Sequence, residues 1–173
     1  PRQETACCRF CGSVLKSTFV DLGMSPPCQT HIEPHQLNAM ERFYPLHVWV
    51  CDDCFLVQLE EYVSPEDIFS DYAYFSSYSD SWLEHARNYV AAMIRRFGLD
   101  SRSSVVEIAS NDGSLLQHFV ARKVPVLGIE PAANVALVAQ EKGVRSVVKF
   151  FGQKTAREIA GEYGKADLLL GNN

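Results

Sequence analysis

No apolar run in this 173-residue sequence approaches the roughly 20 residues that a membrane-spanning helix needs, and no basic-then-apolar leader opens it. The expectation is a soluble, cytoplasmic protein with no membrane partner. Basic side chains are outnumbered, 16 Lys and Arg against 21 Asp and Glu, and they are scattered along the chain. A net charge of -5 and a pI near 5.5 give a nucleic-acid backbone little to bind, so no nucleic-acid partner is expected. Also missing is the Gly-x-Gly-x-x-Gly turn that lets backbone approach a dinucleotide pyrophosphate, which argues against an NAD-linked oxidoreductase. What is present is a 47% hydrophobic content, enough for a packed core in one domain of ordinary size or two small ones.

Six cysteines stand in the chain, four of them in two Cys-x-x-Cys pairs, Cys8-Arg9-Phe10-Cys11 and Cys51-Asp52-Asp53-Cys54. Paired spacing without a secretory leader favours metal ligation in a reducing compartment over disulfides. Each pair can form a knuckle, and Gly12 after the first suits its turn. Cys8, Cys11, Cys51 and Cys54 complete a tetrahedral thiolate shell for Zn2+. A full shell leaves no position for water, so the metal is expected to be structural. His31, His35 and His47 are alternative ligands that this set does not require, and Cys7 and Cys28 read as small apolar core residues.

Pro26, Pro27 and Pro34 predict an irregular loop over 19–41. A strand is expected over 55–59 and a short helix from Ser64-Pro65-Glu66-Asp67, where a capping residue precedes a first-turn proline and acids. From Trp82, apolar residues recur at helical spacing to Phe97, with Arg95 and Arg96 in the last turn and Gly98 beyond. In the run 71–80, Tyr72, Tyr74, Ser76 and Tyr78 alternate. An extended segment would line their hydroxyls along one side, suited to a sugar or nucleotide, or it would be a half-buried strand packing amphipathic aromatics on the core.

Beyond residue 98, strands predicted at 105–108, 125–130, 144–148 and 166–170 alternate with helices at 114–121, 132–142 and 153–163. That is an α/β pattern: a parallel sheet with right-handed crossovers and helices on its faces, whose ligands sit beyond the strand carboxyl ends. Glu107, Asn111, Asp112, Gly113, Glu130, Pro131 and Asn172 fall at or just past those ends. With Ala109 in the turn and Phe151 after the third strand, they form the candidate cofactor-binding set. Asp112 would repel a pyrophosphate, whereas the sulfonium and ammonium of S-adenosylmethionine are favoured by Glu107 and Asp112. Glu130, ending the second strand, is placed to accept the ribose hydroxyls.

The order Cys-x-x-Cys-Gly, a second Cys-x-x-Cys followed by Leu-Val-Gln-Leu, Tyr-x-Tyr-x-Ser-Ser, Glu-Ile-x-Ser-Asn-Asp-Gly, Gly-Ile-Glu-Pro and Asn-Asn resembles the zinc-containing sugar C-methyltransferases, including those of D-tetronitrose biosynthesis. The resemblance runs from Cys8 to Asn173. It implies a zinc-binding, substrate-proximal lobe (1–80), a connecting helix (81–98) and the first half of a Rossmann-like class I methyltransferase sheet (99–173), truncated after its fourth strand. It implies zinc on the four cysteines, S-adenosylmethionine with Glu130 on its ribose, and a nucleotide-linked sugar near Tyr72, Tyr74, Ser77 and Tyr78. The implied reaction is methylation at C3 of a 4-keto deoxysugar through an enolate. Tyr74 is expected to hydrogen-bond the sugar or the oxyanion, and the main base to lie beyond Asn173, so this chain alone is expected to be inactive. Pro1 in place of an initiator Met fits part of a longer product. The family usually has glycine where Ala109 stands, and often an acid where Lys149 stands. A non-catalytic zinc-ribbon interaction module with a degenerate sheet is the alternative function.

Overall fold

The computed structural model describes residues 6–28 and 31–172. Asn173 and part of the expected 19–41 loop lie outside them. The chain divides into two compact units between Ile68 and Phe69. The aromatic run 71–80, expected with the zinc-binding lobe, and the long helix after it therefore fall in the second unit.

The first unit holds an antiparallel sheet, β1 (Ser17–Ser25), β2 (Tyr44–Val50) and β3 (Val57–Leu59), in that spatial order. The expected loop over 19–41 is thus a strand up to Ser25. The β-branched and aromatic start of β1 pairs with β2, and irregularities between Thr18 and Val20 and between Asp21 and Met24 bend it. Pro45 in β2 lies beyond the three positions paired with β3, so its missing N–H interrupts no ladder there. The expected strand over 55–59 begins only at Val57, because Phe55 has φ 61 and closes the second cysteine knuckle. Helix α1 (Pro65–Phe69) starts as read, with the Asp67 N–H donating to Ser64 Oγ at 3.2 Å. Cys7 and Cys28 are exposed, not core. Cys7 pairs in a bridge with Val14 beside buried Cys8, and Cys28 follows Pro26-Pro27 as the chain leaves β1.

The second unit opens on an irregular stretch closed by a 3-10 turn at Ser76–Tyr78, so the hydroxyls of 72–78 do not share one side of an extended segment. Helix α2 (Asp80–Phe97) follows, capped by Ser79 Oγ accepting the Trp82 N–H and ended by Gly98 at φ 62. Then come β4 (Val105–Ile108), α3 (Gln117–Val120), β5 (Val126–Ile129), α4 (Ala133–Glu141), β6 (Ser146–Val147), α5 (Gln153–Tyr163) and β7 (Leu168–Gly171). The sheet is parallel, in the order β6-β5-β4-β7. Val105 and Val106 point to opposite faces: Val105 joins a core with Ala86, Val90, Phe119 and Ala139, and Val106 joins one with Leu127, Ile129 and Ile159. Strands run outward from β4 to β6, then β7 returns to the other flank of β4. The crevice beyond the carboxyl ends of β4 and β7 is therefore the topological switch point.

Candidate functional site

In the first unit, four thiols converge as the spacing predicts. The sulfurs of Cys8, Cys11, Cys51 and Cys54 all lie within 4.8 Å of one another, with Cys8 and Cys54 3.6 Å apart and Cys11 and Cys51 3.5 Å apart. A tetrahedron with Zn–S near 2.3 Å has edges of about 3.8 Å, so the arrangement fits zinc, while a disulfide would need about 2.05 Å. The two knuckles are built alike. Gly12 N–H donates to the Cys8 carbonyl at 2.9 Å and Phe55 N–H to the Cys51 carbonyl at 3.0 Å. Gly12 at φ 79 and Phe55 at φ 61 occupy the same left-handed corner. The Cys11 N–H, aided by Gln58, lowers the Cys8 thiol to about 6, and the Ser13 hydroxyl lowers Cys11. The Leu56 N–H lowers Cys54 too, but burial and the three neighbouring sulfurs prevail and push it up to about 12. Crowded thiols compete for the anionic form, and a divalent cation resolves that competition.

Gln58 is the residue here that spacing does not reveal. It is buried, donates through Nε2 to Cys8 Sγ at 3.2 Å and accepts the Arg9 N–H at 3.0 Å, fixing the first knuckle from outside the ligand set. Arg9 also donates through Nη2 to the Leu59 carbonyl. The histidines are elsewhere: His47 bonds Thr18 Oγ1 at 2.8 Å and stacks on Trp49, while His31 and His35 are exposed.

In the second unit, the residues predicted at the strand ends gather at the switch point. Glu107, the third residue of β4, is 4% exposed, and its Oε1 accepts from Asn172 Nδ2, just past β7, at 2.9 Å. Burial first, and the Glu130 charge second, raise Glu107 to about 7. Glu130, also buried, accepts the Asn111 N–H at 2.9 Å and the Ala132 N–H at 3.0 Å. These donors aim its carboxylate and leave lone pairs free for further hydroxyl donors. Ala109 and Asn111 have φ 53 and 50, which explains why glycine suits position 109. Gly113, at φ 72, has no room for a side chain, since a Cβ would meet Val144 Cγ2 at 3.0 Å and Ala139 Cβ at 3.2 Å. Gly128 is equally constrained, because a Cβ there would lie 2.4 Å from Ser110 Oγ. Pro131 is half-buried, and Phe151, past the third strand's exit, is 41% exposed.

Asp112 is 1% exposed and paired with Lys142, whose Nζ lies 2.9 Å from its Oδ2. Its charge is thus met within the protein. Lys142 carried no signal in the sequence, because the pairing depends on α4 ending against the turn. Three buried polar atoms here have no hydrogen-bond partner: Glu107 Oε2, Ser110 Oγ and Asp112 Oδ1. Unmet hydrogen-bonding capacity gathered at the carboxyl end of β4, where parallel sheets hold their ligands, is compatible with a polar ligand. Of the candidate substrate residues, Tyr74 and Tyr78 are 51% and 80% exposed, Tyr72 is half-buried with its ring against Phe69, and Ser77 bonds Lys142. The core packing considered for the tyrosines thus fails for Tyr74 and Tyr78.

None of the described helices is long and apolar enough to cross a membrane. Residues 8–69 match the Methyltransf_13 family, described as "Putative zinc binding domain". Across 164 residues, 95% of this chain, the sequence is 33% identical to C-methyltransferase NovU of Streptomyces niveus. The chain spans about 39% of that relative's length.

Proposed function

We propose, from the premise that the chain belongs to the zinc-binding C-methyltransferases, that it supplies the structural zinc module and the cofactor half of a transferase that methylates carbon in a nucleotide-linked sugar. Cys8, Cys11, Cys51 and Cys54 would hold Zn2+, with Gln58 orienting Cys8. The Ser110–Gly113 turn, Glu107, Glu130 and Asn172 would hold S-adenosylmethionine, with Pro131 and Phe151 bordering the adenosine. When bound, that cofactor supplies an electrophilic methyl group on sulfur.

The chain's own residues bind and orient. Glu130, held by the Asn111 and Ala132 amides, accepts hydroxyl donors; Glu107 takes a cationic group, which returns its raised carboxyl to the ionised form. Tyr74 offers an exposed hydroxyl as hydrogen-bond donor to a sugar or to an oxyanion forming at a 4-keto group. The methylated position, C3, and the sugar class come from the resemblance.

The observation that carries the reading is the trio of buried, unpartnered polar atoms at the β4 switch point, one in β4 and two in the turn after it, which has one glycine and no pyrophosphate cradle. Calorimetry tests it. S-adenosylhomocysteine should bind and NAD should not, and Glu130→Ala should weaken S-adenosylhomocysteine by about 1.5–3 kcal/mol, the range for a charged hydrogen-bond acceptor. Binding of NAD alone, or of neither, would overturn the reading.

A further inference from the structure

The polar side chains around the turn serve one short segment more than they serve the crevice. Asn134 grips Tyr72 on both sides: its Oδ1 accepts the Tyr72 N–H at 3.2 Å and its Nδ2 donates to the Tyr72 carbonyl at 2.8 Å. Asn111 repeats the device two residues on, donating through Nδ2 to the Tyr74 carbonyl at 3.1 Å and accepting the Ser76 N–H at 2.9 Å. Asp112 Oδ2 accepts the Ser77 N–H at 3.2 Å. Lys142 Nζ closes the set, 2.6 Å from Ser77 Oγ and 2.9 Å from both the Asp112 carbonyl and its Oδ2.

Asn111 is engaged chiefly within the protein. Its amide oxygen and one hydrogen of its amide nitrogen go to the segment, and its backbone N–H goes to Glu130. Burial cannot hold the segment, because Tyr74 and Tyr78 are mostly exposed and no strand pairs with it among the described residues. Its position rests on these side-chain tethers, two of them charge-assisted.

We infer that Asn111, Asp112 and Lys142 are positioning residues that hang the Tyr72–Tyr78 segment on the cofactor turn, so that order in the turn sets the placement of Tyr74. The inference deepens the methyltransferase reading of this site and rests on it for the identity of the ligand. The same left-handed Asn111 that gives its N–H to Glu130 holds Tyr74 and Ser76, so a ligand engaging Glu130 acts on both ends of one residue. Coupling of this kind is reciprocal: what stiffens the turn stiffens the segment.

Hydrogen exchange on the whole chain, with and without S-adenosylhomocysteine, tests it. In the wild type the ligand should slow exchange at the Ser76 and Ser77 amides about tenfold. Lys142→Met should abolish that slowing and speed Ser77 exchange about tenfold without ligand, while the ligand's affinity shifts less than threefold. Asn134→Ala, in α4 and outside the turn itself, should free the Tyr72 amide alone and serves if Lys142→Met does not fold. Ligand binding that leaves Ser76 and Ser77 unprotected in the wild type would overturn the inference. So would a Lys142→Met variant that loses affinity more than tenfold with segment exchange unchanged. If the wild type binds no S-adenosylhomocysteine, the methyltransferase reading fails instead, and the tethers are judged by ligand-free exchange: unchanged rates in both variants would refute them.

Discussion

The two units are held together by different means. The first has a buried core of Cys8, Leu15 and Cys51, with Ala6, Trp49, Cys54 and Leu56 packed partly against it, so its centre is largely the metal ligands themselves. The second buries Val90, Val105, Leu116, Phe119, Val135 and Ile129 completely, on both faces of a parallel sheet. A cluster of a few side chains cannot offset the chain entropy of ordering more than 60 residues, whereas the sheet unit's core can approach doing so. The difference teaches that one unit is specified by ligation and the other by burial, and each should fail to a different insult.

The largest expected effect follows. Cys51→Ser, or removal of metal by a strong chelator, should unfold the first unit, since structural zinc sites of this kind carry on the order of 10 kcal/mol of binding free energy that is also folding free energy. Near-ultraviolet circular dichroism from Trp49 should collapse while the second unit keeps its far-ultraviolet signal. Metal analysis should find one zinc per chain. Joint collapse of both units would break the comparison.

The converse insult is steric. Gly113→Val forces a side chain against Val144 Cγ2 at 3.0 Å and Ala139 Cβ at 3.2 Å, at a φ of 72 that β-branched residues avoid. Overpacking plus the left-handed penalty should destabilise the second unit by about 3 kcal/mol in urea denaturation, with zinc content unchanged. Loss of zinc in this variant would show that the units are not separately held.

How much of this contrast was legible in the sequence follows the range of each interaction. The four cysteines announced their site because spacing alone makes a knuckle. Helix α5 was read at its observed bounds, Gln153–Tyr163, and β4 at Val105–Ile108, because local periodicity sets both. The β1-β2 pair was missed: Pro26, Pro27 and Pro34 pulled the reading toward loop, and Pro45 masked a strand whose only requirement is a partner on one side at that position. Glu107 and Glu130 were found at strand ends by topology. Gln58, Asn134 and Lys142 were not, because each acts on a residue 50 or more positions away through the folded backbone, except where Lys142 reaches Asp112 across 30.

A pH experiment sharpens the burial side. The folded protein holds the Glu107 proton more tightly than the unfolded chain does, about 7 against an ordinary 4.5. Its contribution to stability is therefore full below about pH 4.5 and is lost as pH rises through about 7. Glu107→Gln, which keeps an acceptor for Asn172, should remove that slope and leave the second unit about 3 kcal/mol more stable than wild type at pH 8. The wild-type-minus-variant difference isolates this group from the other carboxylates. A difference that does not vary between pH 4 and 8 would mean that the burial of Glu107 is relieved by solvent.

The smallest effect lies where the two units share a feature. Each has a non-glycine residue in a left-handed corner: Phe55 at φ 61 in the second knuckle and Ala109 at φ 53 in the turn after β4. Gly12 occupies the corresponding corner of the first knuckle at φ 79 with open space around it. The left-handed conformation costs an L-residue roughly 1–2 kcal/mol, while glycine adds about 0.4–1 kcal/mol of unfolded-state entropy, so the exchange should net several tenths in favour of glycine. Phe55, 76% exposed, surrenders little packing, and Ala109, also exposed, surrenders less. Ala109→Gly should therefore raise the second unit's stability by about 0.5 kcal/mol, read as a shift of the urea midpoint at constant slope. Phe55→Gly should raise the chelator concentration needed to strip half the zinc, because there the corner stabilises the metal site and not a core. A Phe55→Gly variant that loses zinc more readily than wild type would mean that the exposed ring shields the thiolates, and that the metal-held unit depends on an apolar contact after all.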